Sequence, residues 1–194
     1  MKTIKTLLAA VVILYSQGCM RQVTRIDAAK TTDISGSWND TDSRLTAEEI
    51  ATEVLSNPWL AKFKEQSGGK EPVVIVGMIT NKSHEHIEAE TFCKDIERAF
   101  ISSQKVRLVQ GGKKREEIRG ERADQQENAS KSTMKQFGLE NGADFMMQGS
   151  INSIVDSYKR KKTVYYQINL ELTNIQTNEI VWIGEKKIKK FVKN

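Results

Sequence analysis

The sequence predicts an α+β (α/β) domain, a mixed β-sheet flanked by helices that ends in an antiparallel meander. Three observations carry that reading. Pro72-Val73-Val74-Ile75-Val76-Gly77-Met78-Ile79 is a continuous apolar, β-branched run, the pattern of a strand buried on both faces. Ile87, Phe92, Ile96, Ala99 and Phe100 follow at helical spacing, and Lys105–Val109 reads as a second short strand, which completes a strand–helix–strand unit. The last fifty residues hold three long segments with a period of two.

Before that unit, residues 20–37 are polar and aperiodic and read as a tether. Order is expected from Trp38. Thr46 can cap a helix whose first turn holds Glu48 and Glu49, with Ile50, Val54 and Leu55 on one side. Asn57-Pro58 ends it, because the residue before proline avoids the helical region. Trp59, Leu60 and Phe63 form an apolar cluster, and Ser67-Gly68-Gly69 breaks the chain.

After the first strand a polar turn is expected over Thr80–Ser83. Residues 111–130 are highly charged, and 115–126 contain good helix formers with almost no apolar stripe. They are either a solvated helix or a mobile excursion. Met134, Phe137 and Leu139 suggest a further helix ending by Asn141-Gly142. In the meander, Phe145, Met147, Gly149 and Ile151 alternate with Met146, Gln148 and Ser150. Val164, Tyr166, Ile168, Leu170 and Leu172 alternate strictly with Tyr165, Gln167, Asn169 and Glu171, giving one core face and one wet face. Val181, Ile183 and Phe191 continue the pattern, with Trp182 and Ile188 opposite. Lys159-Arg160-Lys161-Lys162 and Gln176-Thr177-Asn178 are the expected hairpin turns.

The N-terminus adds a targeting signal. Lys2 and Lys5 precede an apolar run from Leu7 to Tyr15. That run is about half the roughly 20 residues a spanning helix needs, so residues 1–18 read as a cleavable signal peptide. Ser16-Gln17-Gly18 leads directly into Cys19, with Ser16 where a lipobox usually has Leu. Cys19 is therefore the expected lipid attachment point, with palmitate-type chains, and residues 19–37 the lipidated tether. Residues 38–194 form the single domain. Cys93 is the only other cysteine. Its helical context beside Phe92 suits a small apolar residue better than a nucleophile.

The residues offer little chemistry. His84 and His86 lie on a polar turn with no cysteine or further histidine nearby, so no metal site is expected. Ser103, Ser130 and Ser132 sit in no nucleophile-elbow pattern, and no histidine has a triad role. Gly68-Gly69 and Gly111-Gly112 lack the Gly-Lys-Ser/Thr of a phosphate loop. Glu116, Glu117, Glu121 and Asp124 lie among arginines and read as a solvated face. The net charge of +5 is spread along the chain, unlike the concentrated cationic surface of a nucleic-acid-binding protein. The expectation is a non-enzyme with no cofactor and no nucleic-acid partner.

Five segments in order carry a family resemblance. They are Ser35-Gly36-Ser37-Trp38-Asn39-Asp40-Thr41-Asp42-Ser43, Pro72–Gly77, Asn81-Lys82-Ser83-x-x-His86-Ile87, Arg122-Ala123-Asp124-Gln125-Gln126-Glu127, and Gly142-Ala143-Asp144-Phe145–Ile151. Together they resemble the LpoB family, outer-membrane lipoproteins that activate a bifunctional class A penicillin-binding protein. The Gly-Ala-Asp strand is shared with the broader TolB-N-like and CsgG-like (curli-secretion) group. The resemblance implies a TolB-N-like domain without enzymatic activity. It also implies an anchored monomer facing the periplasm that supports peptidoglycan synthesis and cell shape by docking on the synthase's regulatory domain. Family members carry a long proline-rich tether, whereas Cys19 to Trp38 here contains no proline. Fully stretched it spans roughly 60–70 Å, and as a flexible chain it averages about 25 Å.

Two basic surfaces are candidates for docking: Arg115, Arg119 and Arg122 on the charged segment, and Lys159, Arg160, Lys161 and Lys162 at the hairpin. Two other readings stand beside activation. One is a curli-secretion-like or other envelope-assembly component; the other is a wall hydrolase, for which the sequence supplies no nucleophile or metal.

Overall fold

A computed structural model of the chain describes residues 22–193. The signal segment and Cys19 lie outside the described residues. One compact unit begins at Thr31, and residues 22–30 fall outside it. Among the described residues no helix is long and apolar enough to cross a membrane.

The unit is a mixed α+β fold. Its elements are α1 (Asp40–Ser56), α2 (Pro58–Gln66), β1 (Val73–Lys82), α3 (Ala89–Ser103), β2 (Arg107–Leu108), α4 (Gly112–Asn128), β3 (Phe145–Tyr158), β4 (Lys161–Asn174) and β5 (Ile180–Lys193). The five strands form one sheet in the order β2-β1-β3-β4-β5. β1 is parallel to β2 and to β3, and the two remaining pairings are antiparallel.

The strict alternation of β4 sets the layers. Val164, Tyr166, Ile168, Leu170 and Leu172 are all fully buried. They meet Ile50 and Val54 of α1 and Phe92, Ile96 and Phe100 of α3 in one core. Burying five such side chains stabilises the fold by on the order of 10 kcal/mol before chain entropy is counted. The opposite face, with Tyr165, Gln167, Asn169 and Glu171, is only partly buried.

Several elements differ from the sequence expectation. α1 starts six residues before Thr46, because Asn39 makes a reciprocal capping box. Its side chain accepts from the Asp42 N–H at 3.1 Å, and the Asp42 carboxylate accepts from the Asn39 N–H at 3.0 Å. Thr46 is buried inside the helix instead. The Trp59 cluster is a helix, α2, because Pro58 suits a first helical position and Asn57 caps it. Trp59 and Phe63 both meet Phe145 edge to face.

β1 is buried at Val73–Ile75 but exposes Met78, and it runs through the expected turn to Lys82 because β3 pairs with it there. The residues around Phe137 and Leu139 form turns rather than a helix, with both side chains exposed. The connection between β3 and β4 is only Lys159-Arg160, since Lys161 already pairs with Tyr158 and Lys162 with Ser157.

On β5 the core side is that of Trp182 and Ile188, while Ile183 and Phe191 point outward. Gly184 explains the choice. A Cβ there would lie 2.1 Å from the Trp182 ring, so the glycine leaves the indole room on the core face.

Candidate functional site

Two of the five family-like segments, residues 35–43 and 81–87, meet at one corner of the core. Trp38 packs edge to face on Phe92 and Tyr166, with centroids 6.3 and 5.5 Å away. Its backbone N–H donates to Glu85 Oε2 at 2.9 Å, and its indole N–H donates to Ser43 Oγ at 3.0 Å. The Asn81 amide donates to the Glu85 carbonyl at 2.8 Å and orders the loop after β1. Glu85 is held below the usual carboxylate range. Burial pushes it up, but the Trp38 N–H, the Tyr166 hydroxyl and His84 outweigh burial. Burial, with Glu85 nearby, pushes the Tyr166 hydroxyl well up.

The fourth segment, around Arg122, belongs to α4, and the fifth pins the sheet. The Val73 N–H donates to Asp144 Oδ2 at 2.7 Å, and the Asp144 N–H donates back to the Val73 carbonyl at 2.7 Å. Asp144 therefore sets the β1–β3 register, a role the alternation pattern does not reveal.

His84 lies between Ser153 and Glu85, with Nδ1 2.7 Å from Ser153 Oγ and Nε2 3.1 Å from Glu85 Oε1. No triad role for a histidine is expected from the sequence, yet this is the order of a hydrolase relay. The surrounding bonds give it a structural task. Ser153 Oγ also accepts the His84 backbone N–H at 2.9 Å, and the other Glu85 oxygen is held by Trp38. The three groups tie the loop after β1, the N-terminal strap and β3 together. Cys93 is partly buried, with its Sγ 4.0 Å from the Gly77 carbonyl, and burial pushes its thiol up, which disfavours the nucleophilic thiolate. Among the described residues no cluster of three or more His, Cys, Asp or Glu could hold a metal ion.

The two basic surfaces differ in kind. α4 is a 17-residue helix with no buried residue. Its three arginines and Lys114 are already engaged. Arg119 makes two bonds of 3.1 Å to the Glu140 carboxylate and one of 2.8 Å to Glu116. Arg122 reaches Glu140 at 2.8 Å, and Arg115 donates to the Gln110 carbonyl at 2.8 Å. The two arginines hold the Glu140 carboxyl down at about 2. Lys114 reaches back to Glu90 on α3 at 2.9 Å. The arginines thus brace α4 to the segment before β3, and Ile118, Phe137 and Leu139 are left exposed around that brace.

Of the hairpin cations, Lys159, Arg160 and Lys161 are exposed and Lys162 is partly buried. Lys159 adopts a left-handed backbone (φ 52°) where such a two-residue turn favours Asn or Gly, and its ammonium lies 5.3 Å from the Tyr158 ring centroid. Lys161 pairs across the sheet with Lys193. The fold therefore adds β5 lysines to the hairpin group, and does not join that group to the α4 arginines through any described bond.

Comparison with known proteins decides the family. The family model described as "Peptidoglycan-synthase activator LpoB" matches residues 42–188, from the first turn of α1 into β5. The chain belongs to the LpoB family. Solved structures similar to it include the LpoB C-terminal domain from Escherichia coli. That match has 19% identity and a TM-score of 0.36, and covers 69% of this chain and 94% of that one. The LpoB C-terminal domain from Salmonella enterica gives 18% and 0.35 with the same coverage. A lipoprotein from Neisseria meningitidis gives 12% and 0.39, covering 63% of this chain and 84% of its own. No curated protein matches the chain by sequence. The LpoB family is one of regulators, so peptidoglycan synthesis is the process to which the chain is linked.

Proposed function

We propose that this LpoB-family protein is an envelope lipoprotein, acylated on Cys19 and held at the periplasmic face of the outer membrane. There it binds the regulatory domain of a bifunctional class A penicillin-binding protein and raises its glycan polymerisation and peptide crosslinking. The family match from residue 42 to residue 188 carries the reading. The structure supplies its physical basis: a rigid core, side chains committed to structural bonds, and exposed surfaces suited to a partner.

The mechanism is a linkage. A regulator that binds the active conformation of the synthase more tightly than the resting one shifts the population toward activity, and a tenfold preference is worth about 1.4 kcal/mol. We assign the synthase to the α4 surface. A helix that buries nothing contributes little to the core; it exposes Ile118, and Phe137 and Leu139 are exposed in the segment after it, which Glu140 braces to the helix. Arg115, Arg119 and Arg122 shape that surface more than they offer free charge.

The test is the purified chain from Met20 added to a class A synthase. Glycan chain formation rises several-fold, and Phe137→Asp with Leu139→Asp reduces binding at least tenfold without changing the melting temperature. Absence of binding to every class A synthase of the host sinks the activator reading. Full binding by the double variant moves the docking face elsewhere.

A further inference from the structure

The β3–β4 hairpin end carries a charge and shape that synthase docking on α4 does not use. Residues 154–161 are all exposed, so this end of the sheet projects beyond its helical cover. Lys159, Arg160 and Lys161 of the hairpin join Lys189 and Lys193 of β5, and all five are exposed. The register places Lys161 beside Lys193 and Tyr165 beside Lys189 on the uncovered face. Asp156 is the acid on that face at this end, opposite Thr163. Exposed Tyr158, Phe191 and Ile154 stand among the cations.

A second observation concerns where the chain enters. The strap at the start of the compact unit runs against the same end of β5. Lys190 Nζ reaches Asp33 Oδ1 at 2.5 Å and the Ser37 carbonyl at 3.1 Å. Gly36, with φ +72°, comes so close to Val192 that a Cβ would lie 2.3 Å from its methyl. Val192 is paired with Lys162 of the hairpin. Only about twelve residue steps separate Cys19 from Thr31, roughly 40 Å fully extended. An anchor at Cys19 thus keeps the hairpin end within a short reach of the bilayer that the acyl chains enter.

We propose that the hairpin end of β3, β4 and β5 docks on the surface of an anionic lipid bilayer. The cations meet lipid phosphates, and Tyr158, Phe191 and Ile154 enter the headgroup layer, the pairing of basic and aromatic side chains that interfacial binding uses. A projecting end with unpaired charge fits a plane of phosphates. The placement argument rests on the anchored-lipoprotein reading, while the charge and shape do not. α4 is left free to face the synthase while the hairpin end faces lipid.

The test is co-sedimentation of the unacylated mature chain from Met20 with vesicles of phosphatidylcholine alone or with about 30% phosphatidylglycerol, a composition that gives an anionic surface. The expected result is binding to the anionic vesicles only, falling at least tenfold between low and high salt. Lys159→Glu with Arg160→Glu, in an exposed turn, lowers binding about tenfold or more at an unchanged melting temperature. Phe191→Ser lowers it several-fold with the charge intact. No sedimentation with anionic vesicles, or equal sedimentation of the charge-reversed chain, overturns the proposal. Loss of synthase binding on charge reversal by a chain that ignores vesicles also overturns it and makes the surface a protein interface. The assay contains neither synthase nor acyl chain, so its failure leaves the activator reading standing.

Discussion

Single side chains decide whether the corner around Trp38 is chemistry or scaffold. Ser153 is the sharpest case, because its hydroxyl contacts His84 twice and His84 contacts Glu85. A structural hydroxyl lost from a partly buried site costs about 1–2 kcal/mol. Ser153→Ala is therefore expected to lower stability by that amount in urea denaturation, while synthase activation per folded molecule stays unchanged. Labelling of wild-type Ser153 by a fluorophosphonate would instead revive the hydrolase reading. Glu140 gives a pH test at the same scale. Its carboxyl sits at about 2, well below its ordinary 4.5, through hydrogen bonds from Arg119 and then Arg122. A depressed carboxylate contributes stability that is complete above the unfolded value and is lost as pH falls through the folded one. The brace between α4 and residue 140 is thus intact at pH 5 and opens as pH drops from about 4 through 2. Arg122 guanidinium NMR signals should report this opening, and Glu140→Gln should remove the transition.

Elements differ in how much of the core they own, and so in stability. β4 buries five side chains completely, whereas α4 buries none and has no side-chain cap. Local opening follows the number of buried apolar contacts. Amides of α4 are expected to exchange within minutes, and those of Tyr166–Leu172 only through global unfolding; equal protection of the two would contradict this ranking. Synthase binding should slow exchange in α4 if its surface is the docking face. The same contrast explains what was legible in the sequence. β4 shows a strict period of two because one face is core along its length, so its strand and its buried side could both be read. The start of α1 is less legible, because Thr46 before Glu48 and Glu49 offers a competing cap and the Lys190 that fixes Asp42 of the Asn39–Asp42 capping box comes from the far end of the chain. The apolar residues of β5 fall on both sides, so alternation alone leaves its core face open, and the open space at Gly184 tells where the Trp182 ring goes. The candidate sites were half legible. The cations could be read, but Glu140, which occupies two of them, and Lys189 and Lys193, which join the others, are brought in by tertiary contacts.

At the scale of the molecule the governing feature is how the N-terminal strap is locked before the chain leaves for Cys19. Lys190, only 11% exposed, holds Asp42, 9% exposed, at 2.6 Å and Asp33 at 2.5 Å, so one ammonium joins strap, α1 and β5. Removing one partner of such a buried pair leaves the other charge uncompensated, at about 3 kcal/mol. Lys190→Met should show that loss in thermal unfolding, and adding Asp42→Asn should recover part of it. If Cys19 is the anchor, as proposed above, the lock on residues 33–42 makes the length of the chain before it the quantity that sets where the domain works. Residues 22–30 lie outside the compact unit. On the reading of Cys19 as the anchor, deleting them should cut the reach between Cys19 and Thr31 to a few residue steps. In cells the deletion is expected to lower synthase activation, and a Gly/Ser segment of equal length to restore it, since a flexible chain's average reach depends on its number of residues. Glycan chain synthesis in isolated envelopes would measure both variants. Failure of the equal-length Gly/Ser segment would show that residues 22–30 act through specific contacts, and would replace a spacer with a recognition element.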